Sequence, residues 1–522
     1  MYPGKYAQLF ADRPAFIMAS SGETMTYGEL EARSNRLAHL LRAQGLQRLG
    51  HYAVFMENNS RYVEACMAGE RSGLYYTCIN GYLQADELAY ILKNSESRVL
   101  ITSADKLPVA RQALAECPQV TLCLVVGGGA DVEGRAGAAR VTDYEAALAP
   151  HPSTPIADEA LGTAMLYSSG TTGRPKGILR PLPENPPSQP LPLFSFLSNL
   201  WQCEEGMTYL SPAPLYHSAP LANVSLAIRH GGTVIIMEHF DPQHYLALLP
   251  KYKVTHTQLV PTMFSRMLKL PPEERAKADT SSLKIAVHAA APCPAQVKEA
   301  MIDWWGPIIH EYYGATEGLG FTACNTPEWL AHRGSVGKVL MGDIHILDDQ
   351  MQPVPLGQSG EIWFKTASPF VYFNDPERTA LTRSADGTMS TVGDMGYLDA
   401  DGFLYLTDRS TFMIISGGVN IYPQECENLL INHPKVADAA VFGVPNEDLG
   451  EEVKAVVQTV PGVAHTSELA AELIGFCRQH LAHLKCPRTV DFTDALPRLP
   501  TGKLYKRLLR DAYWADRKSR IL

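Results

Sequence analysis

Apolar and polar positions alternate along the chain in the pattern of an α/β protein. Residues 26–46 (TYGELEARSNRLAHLLRAQGL) carry leucines at helical spacing, and Thr26 and Glu29 have the three-residue separation of a capping box. The pattern therefore predicts an amphipathic helix that begins at Thr26. Short apolar runs typical of buried strands follow at YAVFM (52–56), VLIT (99–102), TLCLVV (121–126) and TVIIM (233–237). Because helical stretches lie between several of these runs, we expect sheets covered by helices.

The pattern changes in the C-terminal third of the chain. From about residue 340 it shows short strands and turns, and IISGGVNIYP (414–423) leads into a helix. The apolar strand DAAVFGVP (438–445) and a second helix near residues 467–481 follow. A chain of 522 residues is also too long for one simple core. We therefore predict a large N-terminal domain (1–408), a boundary at residues 409–412 and a smaller C-terminal domain (413–522).

Composition narrows the functional classes. Hydrophobic residues make up 46% of the chain and charged residues 19%, as in ordinary globular enzymes. The formal net charge of −10 argues against a general affinity for nucleic acid or anionic membranes. Ten cysteines include no C-x-x-C pair, which favours free thiols in a cytoplasmic protein over a disulfide framework or a zinc site. The N-terminus lacks the pattern of a signal peptide, and the sequence predicts no transmembrane segment.

One stretch rich in glycine and hydroxyl groups has the composition of a phosphate-binding loop. In SSGTTGRPKG (168–177) the glycines let backbone N–H groups approach an anion, and the hydroxyls and cations suit phosphate oxygens. It is not a Walker motif, because Gly177 follows Lys176 where Ser or Thr would stand. Taken alone, the stretch is as typical of a solvated loop as of a phosphate site. The next segment, PLPENPPSQPLP (181–192), contains six prolines and predicts a stiff surface connection.

Four further stretches carry candidate chemistry. In YGATE (313–317) a carboxylate after a glycine turn suits Mg²⁺, and the tyrosine offers a flat face to a purine. In TVGDMGY (391–397) Asp394 lies between glycines, and its carboxylate can accept both hydroxyls of a ribose. IISGGVN (414–420) contains a glycine pair, and PTGKLYK (500–506) contains Lys503. Each stretch has an ordinary explanation when considered alone: a strand end, a turn or a solvated basic terminus.

Together and in this order the five stretches resemble the adenylate-forming superfamily, which contains acyl-CoA synthetases, adenylation domains of peptide synthetases and luciferases. The resemblance covers essentially the whole chain, including PLYHSAP (214–220) and DRSTFMIISGGVNIYP (408–423). It implies a large N-terminal domain of two helix-flanked β-sheets and a small β-barrel, followed by a small, mobile α+β domain. It also implies that ATP, Mg²⁺ and coenzyme A take part in the reaction.

The resemblance gives individual residues a role in nucleotide binding. The glycine-rich loop would hold the ATP phosphates through Ser168, Ser169, Gly170, Thr171, Thr172, Gly173 and Lys176, with Thr172 among the catalytic residues. Glu317 would act in catalysis by holding Mg²⁺, and Gly314 and Thr316 would lie beside the nucleotide. Tyr313 would stack on adenine, and Asp394 and Arg409 would contact the ribose.

The implied reaction has two steps. A carboxylate is a poor electrophile and has to be activated first. It attacks the α-phosphorus of ATP, which gives an acyl-AMP and pyrophosphate. The thiol of CoA then attacks the acyl group and displaces AMP. Lys503 would bridge the carboxylate and the α-phosphate in the first step, where Mg²⁺ also stabilises the developing charge. The small domain would then rotate, so that Ser416, Gly417 and Gly418 line the tunnel for the pantetheine arm of CoA.

The resemblance implies that the domain boundary at residues 409–412 is a hinge, and the chain departs from the family pattern there. Thr411 stands where Asp or Lys is usual, and Phe412 stands where a charged residue is common. Hinge side chains need not be charged for a rotation, so we expect activity to survive this difference. The proline-rich segment after the phosphate loop is a second departure.

The identity of the acid is less well defined by the sequence. His217 lies where acyl-CoA synthetases tend to carry an aromatic or histidine gate, although a lone histidine is as often a packing residue. Ala289, Ala290 and Gly318 are small residues at expected pocket positions. They favour a medium- or long-chain acid, or a bulky cyclic or steroid-type acid, over acetate. No acidic residue stands where amino-acid-activating relatives bind the substrate ammonium.

The leading prediction is an ATP-dependent, AMP-forming carboxylate–CoA ligase, and other functions stay open. One alternative is a ligase that loads the acyl group onto the phosphopantetheine of a carrier protein, and another is luciferase-type oxidation. A third is a nucleotide-binding relative without catalysis, against which the presence of Lys503, Glu317 and Thr172 argues. No nucleic-acid partner is expected, and a homodimer is common among such enzymes although no residue indicates an interface.

Overall fold

A computed structural model of the chain describes residues 2–168, 175–366, 370–409, 412–416, 419–446, 449–498 and 504–514. Contacts group the chain into two compact units. Unit 1 comprises Met1–Leu259, Leu270–Val287 and Phe370–Leu381, and unit 2 comprises Val260–Lys269, His288–Pro369 and Thr382–Leu522. The predicted domains 1–408 and 413–522 are defined by a rotation about a hinge at residues 409–412, which a grouping by contacts does not test. The division into these domains therefore stays a prediction.

The helices of the described residues are, in chain order, α1 (Gly4–Leu9), α2 (Tyr27–Ala43), α3 (Tyr62–Arg71), α4 (Ala85–Asn94), α5 (Leu107–Leu114), α6 (Tyr144–Leu148), α7 (Pro192–Leu200), α8 (Ser218–Arg229), α9 (Pro242–Tyr252), α10 (Pro261–Leu268), α11 (Pro272–Lys277), α12 (Ala295–Trp305), α13 (Thr326–Ala331), α14 (Pro376–Leu381), α15 (Pro423–Leu430), α16 (Ser467–His480) and α17 (Lys506–Trp514). Short 3₁₀ turns lie at Gly129–Val132 and His483–Lys485.

The strands are β1 (Pro14–Met18), β2 (Thr24–Thr26), β3 (His51–Phe55), β4 (Tyr75–Ile79), β5 (Val99–Ser103), β6 (Leu122–Val126), β7 (Gly134–Ala136), β8 (Ala139–Asp143), β9 (Thr163–Ala164), β10 (Leu166–Ser168), β11 (Lys176–Leu179), β12 (Thr208–Ser211), β13 (Thr233–Ile236), β14 (His256–Leu259), β15 (Ile285–His288), β16 (Ile309–Tyr313), β17 (Phe321–Cys324), β18 (Lys338–Met341), β19 (Asp343–Leu347), β20 (Gly360–Lys365), β21 (Val371–Tyr372), β22 (Met389–Ser390), β23 (Asp394–Leu398), β24 (Leu404–Arg409), β25 (Ile414–Ser416), β26 (Val419–Ile421), β27 (Val436–Asn446), β28 (Gly450–Thr459) and β29 (Thr489–Thr493).

Unit 1 is built on two largely parallel sheets. One has the strand order β7-β8-β6-β5-β3-β4-β9 and is parallel except where β7 pairs with β8. The other contains β15-β14-β12-β13-β1-β2 in that order; β12 is parallel to β13 and β14, β1 is parallel to β13, and β1 and β2 are antiparallel. Every residue of β4 and β5 is buried, as expected for strands with both faces covered. A three-stranded antiparallel sheet, β10-β11-β21, completes the unit.

The strands of unit 2 pair mainly in antiparallel fashion. Strands β16, β17 and β18 pair in sequence, and β19-β20-β23-β24 form a second sheet in which β22 also pairs with β20. This second sheet lies in the region from about residue 340 onwards, where the sequence predicts short strands and turns. The third, which we call the C-terminal sheet, has the order β26-β25-β28-β27, with β29 parallel to β28. Helices α15, α16 and α17 contact strands of the C-terminal sheet or one another.

The patterned segments fold as the sequence predicts. The helix expected at residue 26 is α2: the Thr26 hydroxyl accepts from the Glu29 N–H at 3.2 Å, and the Glu29 carboxylate accepts from the Thr26 N–H at 2.9 Å. The four apolar runs form β3, β5, β6 and β13, and the C-terminal prediction is matched by α15, β27 and α16.

The proline-rich segment contains neither helix nor strand over residues 181–191, all of which are described. Among the described helices, none has the length and apolar character needed to cross a membrane.

A buried ion pair in unit 2 fixes the strand that leads into the candidate nucleotide site. The Nζ of Lys298 on α12 lies 2.6 Å from the Oε2 of Glu311 on β16, and both side chains are almost fully buried. The Lys298 ammonium also lies 4.7 Å from the ring centroid of Trp329. Burial, and then the nearby Lys298 charge, hold the pKa of His288 well below its usual range. The neutral imidazole has its Nε2 3.5 Å from the same Glu311 oxygen.

Replacing Lys298 by methionine is expected to lower the free energy of unfolding of unit 2 by about 3–5 kcal/mol, because it leaves the Glu311 charge buried without its cation. The double variant Lys298→Met/Glu311→Leu should recover much of that loss, since neither charge is then buried. Urea denaturation followed by tryptophan fluorescence measures both. Lys485→Met is the matched control: Lys485 forms a 2.6 Å pair with Glu425 in the same unit, and the two side chains are 38% and 47% exposed, so its loss should cost less than about 1 kcal/mol. Equal stability of Lys298→Met and the wild-type protein would contradict the prediction.

Candidate active site

Two predicted nucleotide-binding residues meet in unit 2. Tyr313 is the last residue of β16, and its hydroxyl donates to the Oδ2 of Asp394 at 2.7 Å. Asp394 opens β23 and is 7% exposed, so its carboxylate is held in place with little contact to bulk water. Gly393, directly before it, has φ +77°, a backbone conformation that glycine adopts without strain. An aromatic face and a carboxylate suited to ribose hydroxyls are thus joined by one hydrogen bond across 81 residues of sequence.

The hairpin of β23 and β24 brings in Arg409, the third predicted nucleotide-binding residue of this region. Asp394 and Arg409 are direct partners in the antiparallel register of these strands. The sequence separates them by fifteen positions, and the hairpin places their Cα atoms side by side. Their shared contact with a ribose stays a prediction.

Two residues without a predicted role, Thr391 and Glu361, hold the turn that precedes Asp394. The Thr391 hydroxyl donates to the Oε1 of Glu361 at 3.1 Å and accepts from the Gly393 N–H at 3.0 Å, while the Trp363 indole donates to the Oε2 of Glu361 at 3.1 Å. Burial raises the pKa of Glu361, the hydrogen bonds from Thr391 and Trp363 lower it, and the nearby Asp394 charge raises it. The net effect is a raised pKa of Glu361. Thr391 and Glu361 therefore fix the turn that presents Asp394.

Glu317 lies in the turn that follows β16. Its side chain is buried, at 8% exposure, and the turn closes through the Gly318 N–H, which donates to the Ala315 carbonyl at 2.9 Å. Gly318 has φ +73°. Among the residues that the structure describes, no cluster of three or more His, Cys, Asp or Glu side chains could hold a metal by itself. A single carboxylate fits Mg²⁺ when the nucleotide phosphates supply the other oxygen ligands, which is how this ion commonly binds.

The predicted phosphate loop connects two paired strands of unit 1. Ser168 ends β10 and lies opposite Lys176, which opens β11, so the loop is closed at its base by the antiparallel register. The Lys176 Nζ lies 4.7 Å from the ring centroid of Tyr372. The predicted phosphate contacts Ser169, Gly170, Thr171, Thr172 and Gly173 lie outside the described residues, so their role stays a prediction.

The predicted acyl-pocket residues are placed as follows. His217 precedes the first residue of α8, and its ring centroid lies 4.1 Å from that of Tyr216. Ala289 follows β15 and is buried, whereas Ala290 is exposed and has φ +75°, an uncommon conformation for a residue other than glycine. His217 belongs to unit 1, and Ala289, Ala290 and Gly318 belong to unit 2. Their assignment to one pocket stays a prediction.

The remaining candidates lie in the C-terminal part of unit 2. Ser416 ends β25 and is paired with Val419 of β26 and Gly450 of β28. The predicted CoA contacts Gly417 and Gly418, the hinge residue Thr411 and the predicted catalytic residue Lys503 lie outside the described residues. Phe412, at the end of the predicted hinge, is described and half-buried.

Comparison with known proteins identifies the family. Residues 5–371 match the family described as AMP-binding enzyme, and residues 425–503 match the AMP-binding enzyme C-terminal domain. The chain belongs to the AMP-binding enzyme family. This confirms the predicted adenylate-forming superfamily and its acyl-CoA synthetase branch.

Curated relatives in this family match nearly the whole chain. The chain is 30% identical over 514 residues to the 3-[(3aS,4S,7aS)-7a-methyl-1,5-dioxo-octahydro-1H-inden-4-yl]propanoyl:CoA ligase of Rhodococcus jostii, with 95% of each chain covered. It is 31% identical over 535 residues to the fatty acid–[acyl-carrier-protein] ligase ScoC of Streptomyces coeruleorubidus, covering 99% of this chain and 96% of the relative. It is also 31% identical over 514 residues to the long-chain-fatty-acid–CoA ligase FadD13 of Mycobacterium tuberculosis, covering 96% and 95%.

Solved structures of the family share the fold. The o-succinylbenzoate CoA synthetase MenE of Bacillus subtilis, in complex with its acyl-adenylate intermediate, aligns with a TM-score of 0.79 at 26% identity over 97% of each chain. ATP-bound MatB of Rhodopseudomonas palustris aligns with a TM-score of 0.80 at 28% identity over 98% of this chain and 99% of that chain. The α/β fold class with a large N-terminal and a small C-terminal part is therefore confirmed.

Replacing Tyr313 by phenylalanine tests the bond between the two nucleotide residues. The ring stays, but Asp394 loses a hydrogen-bond donor. We therefore expect the KM for ATP to rise about tenfold, which is equivalent to about 1.4 kcal/mol, and kcat to change less than about threefold. Steady-state AMP formation over a range of ATP concentrations measures both constants. Tyr405→Phe is the matched control, because its hydroxyl donates to Asp399 at 3.2 Å in the same hairpin. A KM for ATP that stays within twofold in Tyr313→Phe would show that this bond does not orient Asp394.

Proposed function

We propose that this chain converts a medium- or long-chain carboxylic acid, or a bulky cyclic or steroid-type acid, to its CoA thioester, with ATP cleaved to AMP and pyrophosphate. The observation that carries the proposal is the Tyr313–Asp394 pair next to the Glu317 turn, in a chain of the AMP-binding enzyme family. Membership of this family and near full-length similarity to acid–CoA ligases support ATP-dependent, AMP-forming ligation as the activity.

In the first step the carboxylate attacks the α-phosphorus and pyrophosphate leaves. Tyr313 would stack on adenine, and Asp394 and Arg409 would accept and donate hydrogen bonds at the ribose, which holds the α-phosphate at one position. Residues 168–176 would bind the phosphates that depart as pyrophosphate. Lys503 would place its charge between the carboxylate and the α-phosphate, where negative charge accumulates.

Mg²⁺, held by Glu317 together with substrate phosphates, would neutralise charge on the pyrophosphate leaving group. The buried carboxylate of Glu317 fits this role, because a hard cation with few protein ligands prefers oxygen donors. The turn at Gly318 holds the carboxylate close to the end of β16 and hence to Tyr313.

In the second step the CoA thiol attacks the acyl carbonyl, the carbon–oxygen bond to AMP breaks, and AMP leaves. Lys503 has no role in this step, and the residues Ser416, Gly417 and Gly418 would guide the pantetheine arm. A rotation of residues 413–522 about a hinge at 409–412 would exchange the two arrangements, which defines the proposed division into domains.

The acid class rests on small side chains and on two relatives. Ala289, Ala290 and Gly318 leave space at the proposed pocket, and His217 would act as its gate. The Rhodococcus relative is named for a bicyclic propanoyl substrate and the mycobacterial relative for long-chain fatty acids, and both exceed acetate in size.

The ten cysteines are all free thiols, which supports the predicted cytoplasmic location. Light scattering would check the predicted homodimer.

One specific observation favours a second candidate. The fatty acid–[acyl-carrier-protein] ligase ScoC is as similar to this chain as the CoA ligases are. Transfer to the phosphopantetheine of a carrier protein uses the same thiol chemistry, so the adenylation site is common to both functions.

An acid panel with two thiol acceptors tests the proposal. AMP release is measured with acetate, dodecanoate, hexadecanoate, ferulate and a steroid side-chain acid, each with CoA, with a phosphopantetheinylated acyl carrier protein, or with neither. We expect CoA-dependent AMP release with one of the larger acids and little with acetate. Release that depends on the carrier protein and not on CoA would favour the second candidate, and release with acetate alone would contradict the acid class.

A further inference from the structure

The segment that carries Lys503 starts and ends at neighbouring points on the C-terminal sheet. The Tyr505 N–H donates to the Pro497 carbonyl at 2.7 Å, and Arg498 and Leu504 form an isolated antiparallel bridge. Leu496 is buried in an apolar cluster with Ala440 and Phe442 of β27, and Leu504 packs against the same cluster. Residues 499–503 therefore connect two positions that the described structure fixes side by side.

An ion pair anchors the first of these positions. Arg498 binds Asp438 of β27 in a two-pronged arrangement, with Nη2 donating to Oδ1 at 2.6 Å and Nε donating to Oδ2. The two side chains are 22% and 15% exposed. Such paired, charge-assisted bonds fix both the position and the orientation of the guanidinium plane.

A second ion pair anchors the other position. The Nζ of Lys506, the first residue of α17, lies 2.8 Å from the Oε1 of Glu427 on α15, and the two side chains are only 7% and 5% exposed. The same Glu427 oxygen accepts from the Val441 N–H of β27 at 2.6 Å. Lys506 is three residues after Lys503, so this ion pair fixes the chain close to the predicted catalytic lysine in sequence.

The second anchor also contacts the predicted hinge. The Lys506 Nζ lies 5.3 Å from the ring centroid of Phe412, and the Arg510 guanidinium carbon lies 5.6 Å from it. Both distances are within the range of a cation–π attraction. The aromatic residue at this position, where the family commonly has a charge, thus gains a partner on α17.

We propose that Arg498–Asp438 and Lys506–Glu427 are positioning pairs that hold the Lys503 segment for adenylation. This inference rests on the proposed function, in which Lys503 bridges the carboxylate and the α-phosphate. The two pairs join Arg498 and Lys506, which flank the segment, to the C-terminal sheet and α15, so both ends of the segment are attached to these elements. A displacement of about 1 Å at a reacting group can cost about 10²-fold in rate, so loose anchors slow the step that uses Lys503.

The consequence is an asymmetry between the two half-reactions. Thioester formation from acyl-AMP does not use Lys503, so it should not depend on how firmly the segment is held. A role confined to folding would lower both half-reactions together, because both need the folded C-terminal part. The ratio of the two rates therefore separates positioning from stability.

The test compares two variants with a matched control. Lys506→Met/Glu427→Gln removes both buried charges at once, so no uncompensated charge remains, and glutamine keeps an acceptor for the Val441 N–H. Arg498→Met removes the less buried pair. Lys435→Met is the control, since Lys435 pairs with Glu472 at 2.7 Å beside the same sheet, with both side chains about 45% exposed. Circular dichroism melting checks that each variant is folded.

Adenylation is measured as acid-dependent exchange of labelled pyrophosphate into ATP, and thioester formation as CoA consumption from supplied acyl-AMP. The acid is the one that the wild-type protein turns over fastest in the panel above. We expect exchange to fall about 10–100-fold in Lys506→Met/Glu427→Gln and in Arg498→Met, with thioester formation within about threefold. Lys435→Met should match the wild type in both, and Lys506→Arg should recover most of the exchange.

Equal losses in the two half-reactions, or no loss in either, would overturn the inference. If the double variant fails to fold, Arg498→Met decides the outcome, because its pair is partly exposed. Absence of acid-dependent exchange in the wild-type protein is a separate result: it contradicts the proposed function itself, and the positioning pairs with it.

Discussion

Replacement of Lys503 by alanine is expected to lower the rate of acyl-adenylate formation by about 10²–10³-fold, the effect of removing one group that stabilises charge in a transition state. The carboxylate and the α-phosphate are both anionic, so their approach needs a cation between them. Thioester formation from supplied acyl-AMP should change less than about threefold, because that step displaces AMP without this cation. Rapid-quench measurement of acyl-AMP, followed by a separate assay with supplied acyl-AMP, gives the two rates.

A matched lysine separates this role from a general loss of charge. Lys485 pairs with Glu425 at 2.6 Å, is 38% exposed and lies in the same C-terminal part, so Lys485→Ala should leave both rates unchanged. If Lys503→Ala slowed the two half-reactions to the same extent, the assignment of Lys503 to adenylation alone would be wrong.

Asp394→Ala is expected to raise the KM for ATP by about 10²-fold. The aspartate would accept from two ribose hydroxyls, and each hydrogen bond to a charged group contributes about 1.5–3 kcal/mol. The expected rise in KM corresponds to less free energy than the sum of two such bonds, because water replaces part of the interaction in the variant. ATP titrations of AMP formation at saturating acid and CoA measure the change.

The turn of the same hairpin supplies the control for this variant. Asp401 lies in the turn between β23 and β24 with 71% of its side chain exposed, so Asp401→Ala should leave the KM for ATP unchanged. Combining Asp394→Ala with Tyr313→Phe should add little to the effect of Asp394→Ala alone, because the Tyr313 hydroxyl acts through Asp394. Fully additive effects would instead show that Tyr313 and Asp394 contact the nucleotide independently.

Periodic segments made much of the fold predictable from the sequence. The capping box at Thr26 and Glu29 and the four apolar runs specify local structure by short-range rules, and each is found as expected. The grouping into units was not predictable in the same way. Residues 260–269 belong with unit 2 and residues 370–381 with unit 1, and these associations depend on contacts between segments that are far apart in sequence.

The candidate site also contains residues that local motifs predict and residues that only long-range contacts reveal. Motifs identified Tyr313, Glu317 and Asp394, since glycine turns beside functional side chains leave a local pattern. The support from Glu361 to Thr391 spans 30 residues, and the anchor from Arg498 to Asp438 spans 60. Charged residues in strands and loops are usually solvated, so nothing in the sequence distinguishes these from surface charges until the strands are paired.

The most direct test of the proposed two-step chemistry follows an oxygen atom. The acid that the protein turns over fastest is labelled with ¹⁸O in both carboxylate positions and converted in a single turnover with ATP and CoA, and AMP is analysed by mass spectrometry. If the carboxylate attacks the α-phosphorus and CoA then breaks the carbon–oxygen bond, each AMP carries one ¹⁸O atom. AMP without label, or label in inorganic phosphate with ADP as the product, would contradict an acyl-adenylate intermediate.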